Sequence, residues 1–412
     1  MTLFPLYIDP GIGSMLFSVI IGLLATVFFA FQAIFINVKR LFKGGMVKTD
    51  AKSGAKNKYV IYAEDKRYYT LFKPIIEEFE SHKIELLYLT SSKDDPVFDA
   101  DYKYIKTEFI GEGNRAFARL NFLSADFVLA TTPALDVYQW KRSKRVKHYS
   151  HIFHATTDAT TYRLFGLDYF DSILLTGEYQ GNDIRILEKM RGLPEKQLVT
   201  VGCSYLDEYA KKIKLLPAKD TSVFTVLVSP SWGASALLSL YGEKLLDPLA
   251  SSNFKIIIRP HPQSKTSEKE MLEYIQNRYK EHKNIEWDFE RENISSLSKA
   301  DIMISDFSGI IFDYMFLCDK PVLYVNHDYD RRPYDADDID HELWQFISIK
   351  KAGIELEEKD FPKIVQIINN AKGSESLSIA RKNARETAWQ YPGEAGKRTF
   401  NFMIETVRRH ND

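Results

Sequence analysis

The stretch that decides the fold is ADIMISDFSGIIFDYMFLCDKPVLYVN, from Ala300 to Asn326. Its two apolar runs and the polar turn between them predict a strand, a tight turn, a helix, another turn and a second strand. Ser305, Asp306, Ser308 and Gly309 form the first turn, where a buried strand passes into a buried helix. One interpretation is an anion site, because free N–H groups and the helix dipole attract negative charge. The other is an ordinary helix cap by Asp306 or Ser308.

Strand and helix patterns also alternate on both sides of this stretch. Apolar runs such as KYVIYA, IELLYL and SILL are separated by amphipathic segments, and the alternation restarts after a linker near residues 215–221. Such alternation predicts parallel sheets covered by helices, with ligands bound beyond the carboxyl ends of the strands. We therefore expect an α/β chain with two Rossmann-like lobes, residues 46–215 and 216–372. Residues 373–412 are expected to form C-terminal helices that pack back on the first lobe.

The N-terminal region predicts a membrane anchor. No charged residue occurs from Ile12 to Ile36, and about 25 helical residues suffice to cross a hydrocarbon layer of about 30 Å. A cleaved signal peptide would begin with basic residues, and a core helix would carry a polar face. Seven Lys and Arg residues lie between Lys39 and Lys58, against Asp50 alone. The positive-inside rule then predicts a single-pass cell-membrane protein with a cytoplasmic C-terminal part and an anionic lipid partner. Residues 1–45 are the predicted anchor and the start of this basic tether.

Composition adds few constraints. The 412 residues carry a net charge of −1 and two cysteines that lie far apart in the sequence. This indicates a globular chain with reduced thiols and without a cysteine metal motif. We expect no nucleic-acid partner.

The stretch FKIIIRPHP, from Phe254 to Pro262, predicts a buried strand that ends in a stiff turn. Arg259 is suited to hold a phosphate, and His261 is suited to donate to a phosphate oxygen or a leaving group. A solvated loop with incidental charges is the alternative. Asp313, four residues after Gly309, lies on the same helix face and needs a partner such as a ribose hydroxyl or a basic side chain.

A third polar element is HYSHIFHATTDATTYR, which begins at His148. Three histidines three residues apart raise the possibility of a metal site, but no carboxylate or cysteine completes a ligand set, and the segment reads as a strand ending at His154. At that end His154 is placed to take a proton from an acceptor hydroxyl; a buried structural histidine is the alternative. Just upstream, KRSKRVK is either a solvated face or a surface for anionic lipid or a polyanionic acceptor.

Taken together, His154 after an aromatic residue, the RPHP turn, SDFSGIIFDYMFLCDKPVLYV and the following YDRRPY resemble the CDP-glycerol glycerophosphotransferase family. The resemblance covers about residues 58–334. It departs from the family pattern at Phe153-His154-Ala155, where polymerases have Trp-His-Gly, and at Val201–Asp207, which lacks a proline. A later Pro-Gly-Pro stretch is also missing from the sequence.

The resemblance implies a glycosyltransferase-B-like fold and a nucleotide-activated alcohol donor, CDP-glycerol. Glycerol phosphate would pass to a hydroxyl of a membrane-linked polyol-phosphate or glycolipid acceptor, releasing CMP, in synthesis of a teichoic-acid-like or capsule polymer. By the same resemblance His154 is the acceptor-side base and His261 the second catalytic residue. The implied donor-binding residues are Arg259, Ser305, Asp306, Ser308, Gly309 and Asp313.

No protein-bound metal is expected, although Mg²⁺ on the donor diphosphate is compatible with this chemistry. Asp335, Asp337 and Asp338 follow YDRRPY and are interpreted as a surface loop. Two other functions fit the same sequence. One is a glycosyltransferase of the same fold that uses a nucleotide sugar, and the other is a non-catalytic membrane-bound binding module.

Overall fold

A computed structural model describes residues 57–219, 221–290, 292–326 and 330–410. The predicted membrane span, Ile12–Ile36, lies outside these ranges. Among the helices within them, none combines the length and the apolar character needed to cross a bilayer.

The first lobe is built on a parallel sheet. Its strands are β1 (Asn57–Ala63), β2 (Leu86–Thr90), β3 (Ile105–Phe109), β4 (Ala125–Ala130), β5 (Val146–Ile152), β6 (Ser172–Leu175) and β7 (Gln197–Thr200). In the described residues they pair in parallel in the order β3-β2-β1-β4-β5-β6-β7. The accompanying helices are α1 (Tyr69–Ser81), α2 (Asn114–Leu120), α3 (Tyr179–Arg191) and α4 (Ser204–Leu215).

The second lobe repeats this plan. Its strands are β8 (Thr225–Val228), β9 (Lys255–Ile258), β10 (Ile285–Trp287), β11 (Ile302–Ser305), β12 (Val322–Val325) and β13 (Ile354–Leu356). They pair in parallel in the order β10-β9-β8-β11-β12-β13. The helices that follow in the chain are α5 (Leu237–Ala250), α6 (Ser264–Ser267), α7 (Lys269–Tyr279), α8 (Ile294–Lys299), α9 (Ile310–Cys318), α10 (Trp344–Ala352), α11 (Ile364–Ala371), α12 (Glu375–Ala388) and α13 (Ala395–Arg409). Short 3-10 turns occupy Lys66–Tyr68, Pro96–Asp99, Ala159–Thr161, Asp335–Asp338 and Glu358–Lys363.

The α/β class with two parallel sheets is confirmed, and the strands show why. Every residue of β8, β11 and β12 is buried, because helices cover both faces of a parallel sheet. The covering helices are amphipathic: α1 buries Leu71, Phe72, Ile75, Ile76 and Phe79. The predicted strand around His148 forms β5, although it ends at Ile152, two residues before His154.

The C-terminal helices return to the first lobe. Phe400 of α13 packs edge-on against Phe79 of α1, with 4.9 Å between ring centroids. The turn before α13 is held by Asp207, whose carboxylate accepts from Trp389 Nε1 at 2.9 Å and from the Ala395 N–H at 3.1 Å. At Gly177 this segment approaches so closely that a Cβ would lie 2.1 Å from a carbonyl oxygen. Glycine is therefore required there for α12 to pack on the first lobe.

A polar seam joins the two lobes beside the cleft. The Asp158 carboxylate, from the loop after β5, accepts from the backbone N–H groups of Trp344 and Gln345 at 2.9 and 2.8 Å. A first-lobe residue thus caps α10 of the second lobe. Asp335 accepts from the Phe165 N–H at 2.7 Å and from Arg191 Nη2 at 2.7 Å.

The interpretation of Asp335 as part of a surface loop was therefore wrong, since this residue is 0% exposed. Burial of a carboxylate is tolerated when it is paired and hydrogen-bonded, and Arg191 of α3 supplies the charge partner. Asp338, which binds the same guanidinium, remains partly exposed.

Candidate active site

The interlobe cavity lies where the second sheet reverses its strand order, between β8 and β11. Ligands of open α/β sheets bind at such topological switch points. The cavity has a volume of about 390 Å³ and is lined by residues of both lobes. Its walls are Arg67, Tyr68, Leu71, His154, Ala155, Tyr205, Tyr209, Ser229, Pro230, Arg259, Pro260, His261, Pro262, Asn293, Ser308, Gly309, Ile310 and Asp313. The two histidines singled out from the sequence therefore face one space.

His154 enters this cavity from the first lobe, just beyond the end of β5. Its Nδ1 lies 3.0 Å from Thr131 Oγ1 and 3.4 Å from the Tyr162 hydroxyl. Desolvation, with a smaller effect of the Arg67 charge, lowers the pKa of His154 to about 4. The imidazole is thus neutral at pH 7. When Nδ1–H donates to Thr131, the lone pair is on Nε2, the nitrogen a general base would use.

His261 stands on the turn after β9 in the second lobe. Its Nδ1 accepts from the backbone N–H of Gln263 at 3.1 Å. Burial lowers its pKa, so the neutral ring carries its proton on Nε2. His261 is therefore fixed as a hydrogen-bond donor through Nε2, the role expected of a phosphate contact.

Arg259 lines the same cavity but is largely engaged within the protein. Its guanidinium binds Asp288 at 2.5 Å and the carbonyl oxygen of Glu290 at 2.8 Å. The side chain is 6% exposed. A ligand phosphate can therefore use only part of its fork, and the ion pair holds Arg259 as a positioned positive charge in the cavity wall.

The sequence analysis expected either an anion site or a helix cap at the N-terminus of α9, and the geometry there favours the anion site, which stays a prediction. No side chain caps this helix, whose N-cap residue is Gly309. Among the described residues the backbone N–H groups of Gly309 and Ile310 have no protein acceptor. Uncapped N–H groups at a helix N-terminus attract an anion. Gly309 adopts φ −61°, which any residue can adopt. The glycine therefore matters because it has no side chain, which leaves space for a ligand beside the backbone.

Ser305 and Asp306 have internal partners instead of facing the cavity between the lobes. The Ser305 hydroxyl donates to the Ser229 carbonyl at 2.5 Å. The Asp306 carboxylate accepts from the backbone N–H groups of Ser231 and Leu237 at 2.9 Å each. Both residues are essentially unexposed. They fasten the loop after β8 beside the helix N-terminus, and the sequence prediction that they bind the donor directly has no support in this geometry.

Asp313 lies in the first turn of α9 and lines the cavity. The partner that the sequence analysis required is the Tyr205 hydroxyl, which donates to its carboxylate at 3.2 Å. Burial raises the pKa of Asp313 to about 7. The carboxyl group is therefore close to half-protonated at neutral pH and can either donate to or accept from a ligand hydroxyl.

Several wall residues were missed in the sequence analysis. Tyr205 and Tyr209 come from α4, Arg67 and Tyr68 from the 3-10 turn after β1, and Asn293 from the segment before α8. The spacing of Tyr205 and Tyr209 by one helical turn was the available signal. Within the described ranges no group of three or more His, Cys, Asp or Glu side chains is arranged to hold a metal ion.

A side cavity of about 280 Å³ adjoins the interlobe cavity across the same turn. Ser308 and Gly309 line both spaces. The other walls of the side cavity are Thr157, Thr161, Asp306, Phe307, Ile311, Phe312, Tyr324, Val325, Asn326, Tyr334, Gln345, Phe346 and Ile349. The Oε1 atom of Gln345 is buried and has no hydrogen-bond partner in the described part of the chain. Five of the fifteen residues that line this space are aromatic, and Gln345 adds an unused acceptor.

The sequence model of the family described as CDP-Glycerol:Poly(glycerophosphate) glycerophosphotransferase matches residues 183–358. This segment of the chain, which is less than half of its length, is similar to that family. The matched segment contains the RPHP turn and the α9 N-terminus, whereas His154 precedes it. The family resemblance seen in the sequence is thereby confirmed over residues 183–358, and the matching family is one of transferases.

Solved structures share the fold of this chain. The wall teichoic acid polymerase TagF is similar with a TM-score of 0.55 and 14% identity, over 88% of this chain and 92% of that one. The UDP-GlcNAc 2-epimerases of Methanocaldococcus jannaschii and Neisseria meningitidis are similar with TM-scores of 0.56 and 0.54, both at 15% identity. They cover 84% and 85% of this chain, and 99% and 100% of their own. No curated protein sequence matches the chain. At these identities the likeness supports the fold alone.

Proposed function

We propose that this protein transfers glycerol phosphate from CDP-glycerol to a hydroxyl of a membrane-linked acceptor, with release of CMP, in synthesis of a cell-envelope polymer. The observation that carries the proposal is the uncapped N-terminus of α9, which shares one cavity with His261 and His154. That arrangement occurs in a chain whose residues 183–358 match the glycerophosphotransferase family.

The donor diphosphate is assigned to the interlobe cavity. Its reacting phosphoryl group accepts from the N–H groups of Gly309 and Ile310, and the His261 Nε2–H donates to an oxygen on the leaving side. Arg259 adds positive charge from the wall. Phosphoryl transfer requires alignment and charge stabilisation more than covalent help from protein, and these groups supply both.

The proton and the phosphoryl group then move as follows. The acceptor oxygen attacks the phosphorus that carries glycerol, and its proton passes to Nε2 of His154. The bond from that phosphorus to the bridging oxygen breaks, and the bridging oxygen leaves as part of CMP, its charge stabilised by His261. No resident metal is required for this balance; Mg²⁺ bound to the diphosphate would arrive with the donor.

The side cavity is assigned to the acceptor. Attacking and leaving oxygens stand roughly in line through phosphorus. With CMP on the β9 side near His261, the attacking hydroxyl approaches from the opposite side of Gly309, where the side cavity opens. Its aromatic walls suit the face of a sugar ring or polyol, and the unpartnered Gln345 Oε1 suits a hydroxyl donor.

The membrane location is part of the same proposal. The uncharged stretch from Ile12 to Ile36 would anchor the chain as a single span, and the basic residues after it would keep the catalytic part in the cytoplasm. A lipid-linked acceptor would then be held on the same side as a soluble nucleotide donor.

The test uses the full-length protein in detergent or nanodiscs, incubated with CDP-glycerol and membranes as the acceptor source. Release of CMP and a matching mass increase of one glycerol phosphate on a membrane component are expected. The variants His154→Gln and His261→Gln should lose both products. The variant His82→Gln, which changes an exposed histidine just after α1, should keep them. Absence of CMP together with UDP release from a UDP-sugar would replace this proposal with the nucleotide-sugar alternative, whose fold the epimerases share.

A further inference from the structure

A cluster of exposed aromatic and basic side chains lies at the amino-end edge of the first sheet. Phe122 is 71% exposed and Tyr138 is 54% exposed. Lys141, Lys144 and Arg145 follow in the loop before β5 and are also at the surface. We call these five residues the basic corner. Large apolar side chains at such exposure mark an interaction site when they occur together.

Contacts between the two loops hold the basic corner together. The backbone N–H of Lys141 donates to Asn121 Oδ1 at 2.7 Å, and Asn121 Nδ2 donates to the Gln139 carbonyl at 3.0 Å. The Arg145 guanidinium donates to the carbonyl oxygen of Phe122. The loop before β4 and the loop before β5 are thus tied side by side, which brings their exposed aromatic and cationic residues close together at one edge of the sheet.

The positive charge of the basic corner is uncompensated. Among the described residues no carboxylate forms an ion pair with Lys141, Lys144 or Arg145. Their neighbours in sequence differ: Arg142 pairs with Asp171 at 2.9 Å, and Lys147 pairs with Asp126 at 3.3 Å. Lys141 Nζ and the Arg145 guanidinium donate to the backbone carbonyl oxygens of Asp136 and Phe122, which leaves the positive charge of all three side chains without a carboxylate partner among the described residues.

The position of the corner identifies the occupant. The described chain begins at Asn57, whose backbone and side-chain nitrogens donate to the carbonyl of Ser124 at 3.3 and 3.2 Å. Ser124 is two residues from Phe122, so Asn57, the first described residue, lies beside the corner. The 56 residues before it contain the uncharged stretch Ile12–Ile36 and most of the basic run that follows it. The chain segment that would leave a bilayer therefore reaches the lobe at this corner.

We propose that the basic corner docks on the surface of an anionic lipid bilayer, with Phe122 and Tyr138 at the headgroup level and Lys141, Lys144 and Arg145 against lipid phosphates. Aromatic side chains favour the membrane–water interface, and basic side chains near an anionic surface gain attraction within a Debye length. This inference rests on the membrane anchor of the proposed function and is independent of the reaction assigned to the cleft.

Docking at this edge sets the height of the active site. The interlobe cavity lies at the carboxyl ends of the strands, the opposite edge of the same sheet. A strand of six or seven residues spans about 20 Å, so the cleft stands at least about that far above the headgroups. The acceptor hydroxyl must reach this height, which suits a lipid-linked chain of several units and not a lipid with a short headgroup.

The test places an environment-sensitive dye at the corner in the full-length protein. Phe122→Cys is labelled and reconstituted into phosphatidylcholine vesicles or into a two-to-one mixture of phosphatidylcholine and phosphatidylglycerol. Cys203 is buried and Cys318 is partly buried, so dye attached to these native cysteines is measured on the parent protein and subtracted. Leu240→Cys, on α5 and 44% exposed, is the matched control position.

A blue-shifted emission at position 122, quenched by brominated acyl chains only in the anionic vesicles, is expected, with position 240 unchanged. Adding Lys141→Gln and Lys144→Gln should weaken that quenching at least severalfold. Water-like emission at position 122 in both vesicles would overturn the proposal. So would a response in neutral vesicles to a soluble polyanionic polymer, which would mark a polymer site. CMP release measured in the same samples separates a failure of docking from a failure of the proposed reaction.

Discussion

Replacing Gly309 with alanine tests whether a ligand phosphate sits on the α9 N-terminus. A Cβ built there meets only the Thr157 methyl group, at 3.7 Å. The added methyl group would therefore lie beside Thr157, where Gly309 borders both cavities, next to the N–H groups to which the phosphate is assigned. Because φ is −61°, alanine fits the backbone without strain.

The structure separates the effect on stability from the effect on binding. Removing glycine at a compatible position stabilises by about 0.4–1 kcal/mol through the unfolded chain, whereas alanine is a poorer N-cap than glycine by a similar amount. The free energy of unfolding should thus change by less than about 1 kcal/mol. A lost hydrogen bond to a charged group costs about 1.5–3 kcal/mol, and about 1.4 kcal/mol corresponds to tenfold in affinity. CDP-glycerol should bind about ten- to a hundredfold more weakly, and Gly309→Val more weakly still.

The assay is isothermal titration of the full-length protein with CDP-glycerol, beside a thermal melt of each variant. Phe307→Ala is the matched control, since Phe307 lies on the same turn but lines only the side cavity. It should keep its donor affinity. Donor affinity that is unchanged in Gly309→Ala, with a normal melt, would refute the placement of the phosphate at this helix.

Other substitutions address the remaining groups. His154→Gln should keep donor affinity in titration but lower CMP release by about 10²–10⁴-fold; equal loss of both would place His154 on the donor side. Asp306→Ala should lower the denaturation midpoint, because each buried N–H group that it leaves unpaired costs about 1–3 kcal/mol; an unchanged midpoint would contradict its structural role. Asp158→Ala removes the cap on α10 and should lower the free energy of unfolding in urea by about 1–2 kcal/mol. A smaller decrease than that of an exposed-surface control variant would contradict the capping role of Asp158. Burial lowers the pKa of His148 to about 4, so below pH 6.5 the unfolded chain binds a proton that the folded chain does not. The free energy of unfolding of the parent protein, relative to that of His148→Phe, should therefore fall by about 1.4 kcal/mol per pH unit from pH 6.5 to 4. A difference between the two proteins that does not change with pH would contradict the lowered pKa.

Much of the fold was accessible from the sequence because it depends on local patterns. Runs such as those of β8, β11 and β12 are apolar throughout and flanked by turns, which is the pattern of strands buried on both faces. The sheet edge that gathers the ligand groups follows from the same rule, since parallel strands place their carboxyl ends together. His261 and the turn at Gly309 could therefore be expected to meet before any coordinates were known.

Edge elements were harder to foresee. The strand β3, IKTEF, has two exposed residues in its centre, and β13 has only three residues. Their pairing is decided by the neighbouring strand and not by their own pattern. The sequence analysis did not recognise either strand.

Charged side chains were the least predictable part of the site, since their partners are distant in sequence. Arg259 binds Asp288, 29 residues later, and Asp335 binds Arg191, 144 residues earlier. Asp306 accepts mainly from Ser231 and Leu237 after β8, with one further bond from the Ser308 N–H in the turn before α9. Strand order decides which carboxylates are buried and which guanidinium groups are paired. Local sequence patterns do not predict strand order.

The seam between the lobes also determines where the proposed base stands. His154 is followed after four residues by Asp158, whose carboxylate is fixed on α10 of the second lobe. The backbone N–H of Phe165, farther along the same loop, is fixed by Asp335. The loop that carries the first-lobe histidine is thus fastened at two points to the lobe that holds the phosphate site. Because a misplacement of about 1 Å can cost a hundredfold in rate, these buried carboxylates are positioned to keep the two halves of the cleft in register, although neither lines the cavity in which the reaction is proposed to occur.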